Sequence, residues 1–113
     1  MDELLVERVL RAVECVPVGS VLTYGDVGKL AGCGPRHVGR VMATYGSGVA
    51  WWRVTDAAGR LPEHLVHEAR ARWHAEGVPV AADGRGCAIR ACRADLSEVG
   101  AEHAARTADL PRA

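Results

Sequence analysis

The sequence predicts a mainly α-helical single domain built around a helix-turn-helix. Three observations carry this. Apolar residues recur at helical spacing in several segments. Thr23 and Asp26 have the spacing of a capping box at a helix start. Gly32-Cys33-Gly34 then joins two short helices through a tight turn. At 113 residues, 49% of them hydrophobic and 25% charged, the chain has the make-up of one globular domain with a core of its own.

Taken in order, Leu5, Val6, Val9, Leu10 and Val13 place a helix over 3–15, stopped by Pro17 and Gly19. A short helix follows Thr23 and runs to about Ala31. Pro35 suits the first turn of the next helix, over 35–44, with Val38, Val41 and Met42 on one face. Gly46-Ser47-Gly48 reads as a flexible loop, residues 49–55 as a short extended run and Asp56–Gly59 as a turn. Leu65, Val66, Ala69 and Trp73 mark a fourth helix over 63–76, closed by Gly77. Beyond Ala81 the chain turns rich in Ala, Gly and Arg. Residues 82–96 allow a strand or hairpin, and 97–113 read as a frayed tail with at most a marginal helix. The β content expected overall is one short hairpin.

Composition narrows the function. Fourteen basic residues, thirteen Arg and Lys29, cancel fourteen acidic ones. A DNA binder of this balance must act through a local basic patch. No apolar run approaches a membrane span, and Asp2 and Glu3 do not open a signal peptide, so a cytoplasmic protein with no membrane partner is expected. Cys15, Cys33, Cys87 and Cys92 have neither zinc nor disulfide spacing. His64, His67 and His74 lie on one helix; His64 and His67 could share a face, but spacing places no third ligand with them, so neither metal nor cofactor is expected. Phosphate-loop and serine or cysteine triad patterns are absent, and spacing alone places no catalytic residue.

Longer segments go further. Pro17–Val27, with Thr23-Tyr24-Gly25-Asp26 inside it, resembles the opening of the DNA-binding domain of O6-alkylguanine-DNA alkyltransferases. Leu30-Ala31-Gly32 follows as in that family. Arg36-His37-Val38-Gly39-Arg40-Val41-Met42 resembles the family's recognition helix, after a turn two residues shorter than usual. Glu76-Gly77-Val78 resembles its close. The resemblance covers residues 4 to about 82. It implies a winged helix-turn-helix-like domain over 1–82 and a partly flexible C-terminal extension over 83–113. The family's active-site run is Pro-Cys-His-Arg-Val. Here the aligned stretch is Ala50-Trp51-Trp52-Arg53-Val54, with Trp51 at the nucleophile and Trp52 at the base. An indole cannot accept an alkyl group as a thiolate does. Trp in place of Cys is the mark of the alkyltransferase-like subfamily, although the His usually persists there.

The resemblance implies a non-enzymatic lesion binder. Its partners would be double-stranded DNA containing O6-alkylguanine, entered from the minor groove, and the nucleotide excision repair proteins for which the lesion is flagged. The protein would work as a monomer, associated with the nucleoid when on DNA. The DNA contacts implied are Thr23, Tyr24, Gly34, Pro35, Arg36, Gly39 and Arg40, with Arg36 filling the gap left by the flipped base. Tyr24, Trp51, Trp52, Val54 and Arg60 would line the lesion pocket, while Arg53 would serve the fold. Two alternatives stay open: a winged-helix transcription regulator, and a residual alkyltransferase using another cysteine, of which Cys33 lies nearest the expected DNA face.

Overall fold

A computed structural model describes residues 2–111. Helix α1 (Glu3–Glu14) starts on Asp2, whose carboxylate accepts the amides of Leu4 and Leu5. It buries Val9, Ala12 and Val13. Strand β1 (Leu22–Thr23) leads directly into α2 (Tyr24–Ala31), and α3 (Pro35–Tyr45) follows after a three-residue turn. The turn crosses so close to α2 that a Cβ on Gly28 would lie 2.4 Å from the Cys33 carbonyl oxygen, so only glycine fits there. These three helices, with Val54 and Val99, enclose the larger core.

The expectation of a mainly helical, winged-helix-like domain holds, but the strands are not a hairpin. Strand β2 (Val54–Thr55) runs parallel to β1, pairing Leu22 with Val54 and Thr23 with Thr55. A tight hairpin turn joins only antiparallel neighbours. Here the whole helix-turn-helix is the crossover between the strands. The run expected to be extended before β2 begins instead as a 3-10 turn over Trp51–Arg53, and a second such turn occupies Gly46–Gly48. Beyond β2, a 3-10 turn over Glu63–Leu65 enters α4 (Val66–Glu76), which Gly77 closes with a left-handed cap. Helix α4 encloses a second core in which Trp73 is fully buried with Val21, Ala69, Val78, Cys87 and Cys92.

Residues 82–96 hold single bridging pairs, Gly86 with Arg60, Cys87 with Val80 and Arg93 with Val21, and one turn of helix, α5 (Ile89–Cys92). Of the tail expected to fray over 97–113, residues 112 and 113 lie outside the described residues, and the rest is led by α6 (Leu96–Arg106), which starts on an Asp95 cap. It lays Val99 into the larger core, and its buried His103 meets the Arg8 carbonyl at 2.9 Å. Among the described residues no helix is long and apolar enough to cross a membrane.

The capping box forms as expected. The Thr23 hydroxyl accepts the Asp26 amide and the Asp26 carboxylate accepts the Thr23 amide, both at 3.1 Å. The same carboxylate, 1% exposed, also takes both arms of the Arg93 guanidinium. Burial alone would push the Asp26 carboxyl up; the hydrogen bonds from Arg93 and Thr23 together outweigh it and hold it below its ordinary value. A folded-state value below the unfolded one stabilises the fold above about pH 4, and this contribution is lost as pH falls through the folded value. Asp26→Asn is therefore expected to cost about 1–3 kcal/mol at pH 7, read by urea denaturation. The gap to the wild type should narrow toward pH 3. A gap that is absent at neutral pH, or that widens in acid, contradicts this role.

Candidate nucleic-acid interface and base pocket

Gly34, Pro35, Arg36 and Arg40 are all exposed on the first turns of α3, and Gly39 is half-buried beside them. Arg36 and Arg40 are four residues apart and share one face. Neither makes a hydrogen bond or ion pair among the described residues. A Cβ at Gly39 would meet nothing within 4 Å. Neither the packing nor a positive φ requires glycine there, and glycine costs a helix interior about 1 kcal/mol relative to alanine. The missing side chain leaves the helix backbone open at this point, beside the cavity that Gly39 lines.

Next to this face lies a cavity of ≈ 350 Å³. That is within the range of sites for small organic groups. One wall is α3 with its following turn: Gly39, Met42, Ala43, Gly46 and Ser47. Tyr24 and Trp51 also line it, and Leu61, Pro62, His64, Leu65 and Glu68 complete it. Tyr24 occupies the first position of α2, placed by the capping box. Burial, then the nearby Asp56 charge, pushes its phenol up, so the hydroxyl stays protonated and able to donate.

Of the five expected pocket residues, the structure brings only Tyr24 and Trp51 to this cavity. Trp52 points elsewhere. Its indole N–H donates to Glu76 at 2.9 Å, and the Arg72 guanidinium covers its ring at 4.6 Å from the centroid. Trp51 and Trp52 meet edge to face, 5.6 Å apart at 84°. Val54 is fully buried in the larger core, among residues of α1, α2 and α3. Arg60 pairs with Asp83 at 2.9 Å and lines a separate cleft. Thr23 is buried and its hydroxyl is occupied by the cap.

Arg53 serves the fold. Its guanidinium binds Glu76 through two nitrogens, at 2.9 and 2.7 Å, and donates to the Val16 carbonyl at 3.1 Å. Those Arg53 bonds, with the indole of Trp52 and the Gly19 amide, hold the Glu76 carboxyl below its ordinary value despite burial. The wall residues that sequence reasoning missed fall into two groups. Met42, Ala43 and Gly46 follow Gly39 at helical spacing, so the period held that signal. Leu61 to Glu68 arrive only through the packing of the loop, the 3-10 turn and the start of α4, which has no local signal.

Burial pushes all four thiols up, Cys87 to about 12, and no cysteine lines the cavity. Among the described residues, no group of three or more His, Cys, Asp or Glu side chains is placed to hold a metal ion.

Residues 5–78 match the family described as 6-O-methylguanine DNA methyltransferase, DNA binding domain, and the chain belongs to that family. Among individual proteins, it is 32% identical over 91 residues to a DNA base-flipping protein of Vibrio parahaemolyticus, across 75% of this chain and 90% of that one. It is 38% identical over 87 residues to a DNA base-flipping protein of Escherichia coli, of whose length it spans 66%. Its fold matches that of S. pombe Atl1, solved in complex with damaged DNA containing O6-carboxymethylguanine. That match has a TM-score of 0.65 and 26% identity, and covers 88% of this chain and 94% of Atl1.

The open space at Gly39 makes a direct prediction. Gly39→Ala should stabilise the isolated protein by about 0.5–1 kcal/mol, measured as a raised urea midpoint with an unchanged slope. A lowered midpoint would mean that the Cβ meets the protein itself.

Proposed function

We propose that this protein recognises O6-alkylguanine in double-stranded DNA by flipping the altered nucleotide into the Tyr24–Trp51 cavity, without transferring the alkyl group. The observation that carries the reading is the juxtaposition of that cavity with the exposed Arg36–Arg40 face through Gly39. A helix lying in the minor groove needs a close approach and little sequence-specific code, and Gly34 and Gly39 suit both. Arg36 fills the stack where the base leaves and pairs with the orphaned partner. Arg40, one turn on, meets backbone phosphate. Tyr24 presses on the phosphate beside the lesion and helps to rotate the nucleotide. Unpairing costs a few kcal/mol and is cheapest at a weakened pair, which supplies part of the selectivity.

Inside the cavity Trp51 offers ring surface to the base and its alkyl group, replacing bond formation with contact area. The family relationship and the two base-flipping relatives support this reading. So does the chemistry of the thiols: burial disfavours the thiolate at every cysteine, which opposes the residual-alkyltransferase alternative. A protein that holds the lesion without repairing it acts as a flag, and the consumer we propose is nucleotide excision repair, reached by a monomer on the DNA.

The experiment is binding of matched duplexes carrying O6-methylguanine or guanine, with recovery of the DNA to look for alkyl loss. The wild type should prefer the lesion and leave the alkyl group on the DNA. Trp51→Ala should lower that preference by about tenfold or more, as expected for losing a stacking contact of roughly 1–3 kcal/mol. Arg36→Ala and Gly39→Ala should weaken binding to both duplexes. Equal wild-type affinity for the two duplexes contradicts lesion recognition and favours a sequence-reading regulator. An alkylated protein contradicts the non-enzymatic part.

A further inference from the structure

A second cleft adjoins the base cavity and shares Leu61 with it. It measures ≈ 570 Å³, and its lining carries three arginines, Arg60, Arg70 and Arg85, with His67 and a single carboxylate, Glu63. With Asp83 beside Arg60, three guanidiniums face two carboxylates, which leaves the cleft net positive in a chain whose formal net charge is zero. Its construction engages one of the three guanidiniums directly. Asp83 accepts the Arg85 amide at 2.9 Å on one oxygen and the Arg60 guanidinium at 2.9 Å on the other. The Asp83 carboxylate thus holds the 83–85 turn against Arg60. Arg70 of α4 lies beside that turn, with its Nη1 3.7 Å from where a Cβ on Gly84 would stand. Arg70 and Arg85 are exposed and make no ion pair among the described residues.

We infer that this cleft binds a backbone phosphate of the same duplex whose altered base enters the adjoining cavity, with Arg70 and Arg85 as the phosphate contacts. The inference rests on the DNA-binding reading above. A duplex presents one phosphate every ~3.4 Å along each strand, so a cleft beside the base site meets a flanking phosphate if DNA runs across both. Guanidinium forks match phosphate oxygens in shape as well as charge. Arg60 works through Asp83: their pair holds the turn that sets the position of Arg85. The α3 helix and this cleft then grip the DNA on two sides of the flipped nucleotide. A chain with no overall positive charge obtains DNA affinity from two local patches.

The test measures binding of a 21-base-pair O6-methylguanine duplex across a salt series. The proteins are the wild type, the double variant Arg70→Ala/Arg85→Ala, and Arg90→Ala as an exposed arginine outside the cleft. Each phosphate contact contributes about 0.9 to the slope of log affinity against log salt. Between about 50 and 200 mM salt, wild-type affinity should therefore fall about tenfold more than that of the double variant. Arg90→Ala should track the wild type, and thermal melting should show all three equally folded. A double variant with the wild-type slope, or an Arg90→Ala protein with as large a change, overturns the inference. Two duplexes per protein at saturation overturn the assignment to the same DNA. A guanine duplex run alongside separates the two claims. Loss of wild-type lesion preference with the slope difference intact sinks lesion recognition and leaves the cleft standing.

Discussion

The buried carboxylate of Asp26 joins a local capping box to a distant C-terminal segment that no local sequence signal places beside it. It caps α2 through Thr23, fixes the exit of β1 and receives Arg93 from the C-terminal segment. A buried carboxylate is costly unless its oxygens are hydrogen-bonded, and here they are. The site depends on this arrangement. Tyr24 is the residue between the cap and the first turn, so its direction follows from the box. Thr23 pairs with Thr55 in the parallel register, which places β2, and with it the 3-10 turn that carries Trp51 just ahead of it, beside α2. Tyr24 and Trp51 reach one cavity from segments almost thirty residues apart because one register joins those segments.

The two adjacent tryptophans divide the work. Trp51 faces the cavity. Trp52 is held away from it by Glu76, by the cation over its ring and by Trp73, whose indole donates to the Trp52 carbonyl at 2.7 Å. The 3-10 turn makes this possible, since successive residues there point in different directions, and the Arg53–Glu76 pair locks it.

Much of the helical frame was legible because helices are local. The α1 period, the capping box, Pro35 at the start of α3 and the Gly77 stop all appear in the structure as expected. Legibility ended where contacts are long-range. The parallel pairing of β1 with β2 cannot be seen in four residues separated by a helix-turn-helix. Val54 goes to the core and Trp52 to Glu76 because of partners far along the chain. Helix α6 has a mixed composition that suggests fraying, yet the Asp95 cap and the burial of Val99 and His103 set it in place. At the site, Tyr24 and Trp51 were recognisable from their motifs, whereas the wall from Leu61 to Glu68 exists only through tertiary packing.

In the proposed function, an altered base leaves the duplex and enters the space between Tyr24 and Trp51. A crystal structure of the protein with an O6-methylguanine duplex tests it most directly. The expected complex has α3 in the minor groove, the altered base against Trp51 and the Arg36 guanidinium in the gap it leaves. A duplex with the altered base still stacked, or with α3 seated in the major groove, would contradict it.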